Sequence, residues 1–264
     1  LPLWVTIGEV DKVLLLGPQS QWKSAEANDP KGRDRDTRLF PDGSGLTRWG
    51  EHVYHQLLNA GLRISPLAGS GTGATESPLG TNRVYVFSNS VESGPDWWQQ
   101  IEAGRVVVTN GPLIRPRVGG SPPGETFLVN RGERVYFEVA LNLSTRDHVE
   151  YLEILKNGEP LHEVRLADFA AAGGKLPAAS FDDAGWFAVR AVTNDGKRYQ
   201  FAESGPYYVA TRDGTRSSRA SIQFFLTWLD ALAQRPKVVG GCTPEEIEQA
   251  RKLWQQRLQN ANAP

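Results

Sequence analysis

The sequence predicts an α/β unit followed by an all-β, immunoglobulin-like sandwich and two C-terminal helices. Three observations predict it. Up to about residue 115, short apolar runs alternate with helical patterns, the order of interleaved strands and crossover helices. From about 116 to 212, apolar and polar residues alternate and turn residues separate the runs. Beyond 213, two segments return to helical spacing, the second opened by a capping box. The expected division is therefore 1–115, 116–212 and 213–264, with the last part packing back on the first.

Val13-Leu14-Leu15-Leu16, ended by Gly17-Pro18, reads as a short strand buried on both faces, as in parallel sheets. Residues 23–48 are polar, rich in Asp, Arg, Gly and Pro, and without periodicity, so a long loop is expected. A helix follows over 48–60, with Val53, Leu57 and Ala60 on one stripe and Gly61 as its stop. Arg63 to Leu67 and Val84 to Phe87 read as strands around a glycine-rich loop. Trp97 to Ala103 reads as a helix with Asp96 as its N-cap and Gly104 just past its end. Val106 to Thr109 is a further buried strand.

In the second part, residues 126–143 and 149–165 alternate, and Asn157-Gly158 between two such runs signals a tight hairpin. Gly185 to Thr193 and Tyr199 to Ala202 flank Asn194-Asp195-Gly196-Lys197, a second hairpin, and Pro206 to Ala210 adds a strand. Short strands with such turns argue for an antiparallel sandwich. Ser218 can cap a helix to Ala233 with Ile222, Phe225, Leu226 and Leu229 on one face. Thr243-Pro244-Glu245-Glu246 starts a helix to about Leu258, striped by Ile247, Ala250, Leu253, Trp254 and Leu258.

The 264 residues carry 29 Lys and Arg against 30 Asp and Glu, a net charge of −1. This balance argues against an electrostatic footprint for nucleic acid or a membrane surface. No apolar run approaches the roughly 20 residues a membrane span needs, so a soluble chain is expected. The sequence has no methionine and begins at Leu1, which leads us to expect a piece of a longer protein. Compartment, cytoplasmic or exported, stays open, and Cys242 alone can form no internal disulfide.

Loops at the carboxyl ends of parallel strands are where α/β folds place their chemistry. The pocket-lining candidates are accordingly Ser70 and Thr72 in the glycine-rich loop, Asn82 and Arg83 before one strand, and Thr109 and Asn110 at the end of another. Arg83 and Asn110 could orient a carboxylate or carbonyl, although Asn110-Gly111-Pro112 also reads simply as a turn. Gly69-Ser70-Gly71-Thr72-Gly73 lacks the Gly-Lys-Ser/Thr ending of a phosphate loop. His52 and His55 lie three apart on the first helix and could share a face, but zinc needs three or four ligands and Glu51 precedes them. A structural or surface role for both is expected. His148 and His162 read as surface residues, and Trp97, Trp98 and Trp186 as core.

The blocks YHQLLNAGLRISPLAGSGTG, NRVYVF, WWQQIEAGRVVVTNGPLIRPRVGG and SRASIQFFLTWLD resemble the late part of CehA/McbA-type metallohydrolases of the PHP superfamily. WFAVRAVT and LWQQRLQNAN fit the same pattern. The resemblance implies the C-terminal part of a distorted (β/α)7 barrel followed by a β-sandwich. It also implies a parent enzyme that hydrolyses small-molecule esters, carbamates or phosphoesters with a metal-activated water, the metal being Zn, Mn or Fe. The family's first His-x-His pair has no counterpart here. Where its Gly-Ser-Asp-x-His motif would fall, Gly71 and Gly73 stand in place of Asp and His. No metal ligand and no catalytic residue is therefore assigned to this chain, which alone is expected to hold no metal and to be inactive. The alternative is a non-catalytic PHP-like pseudo-enzyme, or a sandwich module that binds carbohydrate or a protein partner.

Overall fold

The computed structural model describes residues 1–6, 10–18, 33–41, 44–71, 78–88, 94–194, 199–234 and 243–264. In chain order these form β1 (Lys12–Leu16), α1 (Gly45–Asn59), β2 (Ser65–Ala68), β3 (Arg83–Val86), α2 (Gly94–Glu102) and β4 (Val106–Thr109). There follow β5 (Leu113–Val118), β6 (Thr126–Leu128), β7 (Val135–Ser144), β8 (Val149–Lys156), β9 (Glu159–Arg165) and α3 (Leu166–Ala171). The last are β10 (Lys175–Phe181), β11 (Gly185–Asn194), β12 (Tyr199–Ser204), β13 (Tyr207–Ala210), α4 (Arg219–Ala233) and α5 (Pro244–Gln259). The fold is mixed α/β with several antiparallel sheets, and among the described residues no barrel is closed. No helix among them is long and apolar enough to cross a membrane.

The chain divides into two units: Leu1–Asp11, Lys23–Arg63 and Arg216–Pro264 in one, Lys12–Trp22 and Ile64–Thr215 in the other. The boundary expected at residue 116 thus runs through the interior of the second unit, because β4 pairs with β12 of the later segment. The C-terminal helices belong with α1 in the first unit.

The first unit is built from helices whose ends are set locally. After α1, Gly61 takes φ +81°, and its N–H and that of Leu62 return to the carbonyls of Leu58 and Leu57. This left-handed stop is the one the sequence predicts. The Ser218 hydroxyl accepts the Ser221 N–H at the start of α4. Thr243 and Glu246 cap each other's backbone at α5, with Pro244 in the first turn. The helix α5 lays Trp254, fully buried, against Phe225 of α4 with ring centroids 4.8 Å apart. The Trp254 indole N–H donates to the Pro2 carbonyl at 2.7 Å, which ties the first residues to the helices. The helix α1 begins at Gly45, earlier than the loop expected over 23–48 allows.

The second unit is built from sheets. Strands β1 and β2 form a parallel pair. A three-stranded antiparallel sheet runs β10-β7-β5, and a larger sheet runs β3-β4-β12-β11-β13-β6, with β8 on β11 and β9 on β8. The two larger sheets share one core. Ile114, Val139, Leu141 and Phe181 come from the smaller, and Leu152, Ile154, Phe187 and Val189 from the larger. Phe187 stacks on Tyr207 at 5.1 Å and on Phe137 of the smaller sheet at 5.7 Å, pairs worth about 0.5–1.5 kcal/mol each beyond their burial. The Asn157-Gly158 hairpin is as predicted, both residues taking positive φ, 52° and 86°. The tip of the second predicted hairpin, 195–198, lies outside the described residues.

Five expectations are corrected. Val106 to Thr109 is buried as expected, but it pairs antiparallel with both β3 and β12 rather than in a parallel α/β sheet. Residues 166–181, left without elements, form α3 and β10. The strand β5 runs through Pro116, which the sequence reading takes as a boundary. Both Pro116 and Pro177 sit on the edge strands of the small sheet, where a missing N–H interrupts no ladder, and Pro177 also falls in an irregularity of register. Trp186 is core, but Trp97 and Trp98 stand 38% and 53% exposed. Asp96 lies inside the first turn of α2, not before it. Hydrogen bonds from Ser88 and Gln100 hold its carboxyl below the usual range.

Candidate functional site

The parallel pairing of β1 and β2 aims both carboxyl ends the same way, and each strand is followed by a glycine, Gly17 and Gly69. Asn82, buried at the entry to β3, joins them: its side-chain amide donates to the carbonyls of Gly17 at 2.9 Å and Gly69 at 3.1 Å. The Gly69 N–H in turn donates to the Leu16 carbonyl at 2.9 Å. Ser70 is fastened to the same residue, its hydroxyl accepting the Asn82 N–H at 2.9 Å and donating to the Asn82 carbonyl at 3.3 Å. Ser70 and Asn82 are therefore brought together; Thr72 lies outside the described residues.

Arg83 stands opposite Thr109 in the β3–β4 ladder and donates from Nη2 to the Gly111 carbonyl at 3.0 Å. The Thr109 hydroxyl donates to the Pro112 carbonyl and accepts the Gly111 N–H at 3.0 Å, which closes the Asn110-Gly111-Pro112 turn. Asn110, 3% exposed, continues the ladder with its side chain. Its Oδ1 accepts the Phe201 N–H at 2.8 Å and its amide donates to the Tyr199 carbonyl at 3.2 Å. Gln200, which the sequence reading passes over, donates to the Asn110 carbonyl at 3.1 Å.

These side chains thus bind main chain, and they are neutral or, for Arg83, cationic. Zinc and other transition metals are held by imidazole, thiolate or carboxylate, so this set does not fit one. Among the described residues no group of three or more His, Cys, Asp or Glu could hold a metal ion. His52 and His55 share α1 but not an environment. His55 is buried, whereas His52 keeps part of its surface and lies flat against Trp49, ring centroids 5.5 Å apart at 18°. Burial first, then the neighbouring His55 and Arg33, push the His52 imidazolium below the ordinary histidine range.

A charged row escapes the sequence reading. Register sets Arg190 of β11 between Glu153 of β8 and Glu203 of β12. Arg190 Nε lies 2.6 Å from Glu153 Oε2, and the two glutamates are 3% and 0% exposed. The signal was a charge at the centre of three apolar strands, in YLEILK, FAVRAV and FAES. Tyr151, two positions along β8, has its phenol pushed up by burial and by Glu153. Opposite charges in register across three strands reward one alignment and penalise a slip. Compared with known proteins, the chain matches no family model, no curated protein and no solved structure.

Proposed function

We propose that this chain is the C-terminal part of a PHP-like, CehA/McbA-type metal-dependent hydrolase. In this reading the strand ends around Asn82 belong to a distorted (β/α)7 barrel and shape the substrate pocket. The antiparallel sheets form an immunoglobulin-like sandwich behind it. A divalent metal, Zn, Mn or Fe, and its ligands belong to the parent protein outside this sequence, because the residues at the strand ends do not fit a metal. The metal would supply the activated water that attacks an ester, carbamate or phosphoester.

One observation carries this reading. The carboxyl ends of a parallel strand pair are drawn together by a buried side chain, Asn82, which donates to the carbonyls that follow both strands. Barrel enzymes assemble their sites at the carboxyl ends of parallel strands, which supports this reading. The test assays this chain and its parent on p-nitrophenyl esters and phosphoesters with added Mn²⁺ or Zn²⁺. Metal-dependent turnover by the parent and none by this chain is the expected result. Turnover by this chain alone would overturn it.

The alternative, a pseudo-enzyme or a carbohydrate- or partner-binding sandwich module, draws on the same cluster. Its polar side chains already bind main chain, which suits a scaffold. A parent that binds metal poorly and turns over neither substrate favours that reading.

A further inference from the structure

In the helical unit, the ring of Phe224 on α4 is the centre of an aromatic and basic cluster that the hydrolase reading does not use. The Arg33 guanidinium lies 4.1 Å above the Phe224 ring centroid, and its Nη1 donates to the Phe224 carbonyl at 2.8 Å. One of five guanidinium N–H donors holds the group in place, and the remaining fork can meet an acceptor. The His52 ring lies 5.9 Å from the same phenyl ring and 5.2 Å from Phe40, on the floor that Trp49 provides. Arg33, Phe40, His52 and Phe224 all keep part of their surface in solvent.

The Gln56 amide nitrogen lies 3.3 Å from His52 Nε2. With the amide nitrogen as donor, the imidazole is neutral and its Nε2 accepts the proton. The groups that face His52 electrostatically are His55 on its own helix and Arg33 from the segment before it, both cationic or able to become so. The helix α4 contributes the uncharged Phe224. Arg33 and His52 thus have as partners, among the described residues, a carbonyl, a carboxamide and rings.

We propose that Arg33 and His52 form a proton-linked subsite for an oxyanion borne on a planar apolar group, such as an aryl carboxylate or aryl phosphate. The oxyanion takes the free donors of Arg33 in a fork. The ring packs on the part-exposed Phe40 and Phe224, which reward a planar apolar partner and give nothing to a bare hydrated ion. Binding draws a proton onto His52, and the Gln56 amide turns to present its oxygen to the new Nε2–H. Linkage is reciprocal, so a ligand that favours the imidazolium binds more tightly at lower pH.

The test titrates the full chain with benzoate, whose charge is constant above about pH 5.5, following tryptophan fluorescence at about pH 5.5 and pH 8. Phenyl phosphate and inorganic phosphate are run beside it. Benzoate is expected to bind more tightly at the lower pH. Arg33→Gln is expected to weaken it about tenfold or more at both, the scale of a charge-assisted hydrogen bond. His52→Gln is expected to lose the pH dependence of the affinity. The His52 Cε1–H resonance should titrate at higher pH with benzoate bound. Arg33→Lys, which keeps the charge without the fork, covers the case in which Arg33→Gln unfolds, and should bind more weakly than the unaltered chain. Equal affinity in a folded Arg33 variant, or no saturable binding, overturns the site. Inorganic phosphate binding as tightly as the aryl ligands overturns the aromatic selection.

Discussion

In the helical unit, elements stop and start on local signals: Gly61 after α1, Ser218 before α4, Thr243 before α5. In the sheet unit, Arg190 meets Glu153 across 37 residues of sequence, and Asn110 completes a ladder with Phe201 across 91. The first kind of bond forms within a turn of the chain and can be read in a window of a few residues. The second forms only when strands distant in sequence are in register, and its groups are costly to bury until they are. The lesson is that the same polar residue types serve as punctuation in one unit and as register locks in the other.

The largest effect on this comparison should come from the helical core. Trp254→Ala removes a fully buried indole and its bond to Pro2, and should cost about 4–5 kcal/mol in urea unfolding. A cost below about 1 kcal/mol would mean that the first residues and α5 are not coupled through it. Next comes the sheet lock. Arg190→Leu leaves Glu153 buried without the guanidinium that pairs with it, and should cost about 3–4 kcal/mol. The triple change Glu153→Leu, Arg190→Met and Glu203→Leu should recover most of that, since well-packed apolar residues can replace a buried ion cluster. If the triple variant is as unstable as the single one, the row is not an isolated ion cluster.

Local signals should be cheaper to lose. Gly61→Ala places a Cβ at φ +81° and 3.3 Å from the Arg216 carbonyl oxygen, for about 1–2 kcal/mol. Thr243→Ala removes half of the capping box and should cost about 1 kcal/mol, read as a lowered melting temperature. The smallest effect is that of His52. Its imidazolium is held below the ordinary range in the fold, so the unfolded chain takes up the proton first as pH falls through about 6.5. Stability is therefore expected to decline below that pH, and His52→Gln to flatten the decline. An unchanged slope between pH 8 and pH 5 in the variant would remove His52 from the account.

Much of this was legible from short stretches. The caps, the Asn157-Gly158 hairpin and the faces of α4 and α5 follow from residue types within a few positions of one another. The strand-end cluster was legible as a set of positions, Ser70, Asn82, Arg83, Thr109 and Asn110, but not as a network. An Asn that lines a pocket and an Asn that binds main chain look alike in a sequence, because only the fold decides which carbonyls arrive beside it. Pro116 misled for a similar reason: a proline breaks a central strand but not an edge one, and the edge is defined by which strands pair. The tryptophans at 97 and 98 misled in the other direction, since adjacent positions on a helix cannot both face one core.

By itself the sequence determined the stop of α1 at Gly61, the caps of α4 and α5, and the tight hairpin at Asn157-Gly158. Those properties depend on backbone freedom and side-chain chemistry, which each residue carries with it. Only the tertiary structure decided that β4 joins an antiparallel sheet, that Asn82 spans the ends of β1 and β2, and that Arg190 lies between two glutamates. Strand pairing is non-local, and it alone determines which buried donors and charges find partners.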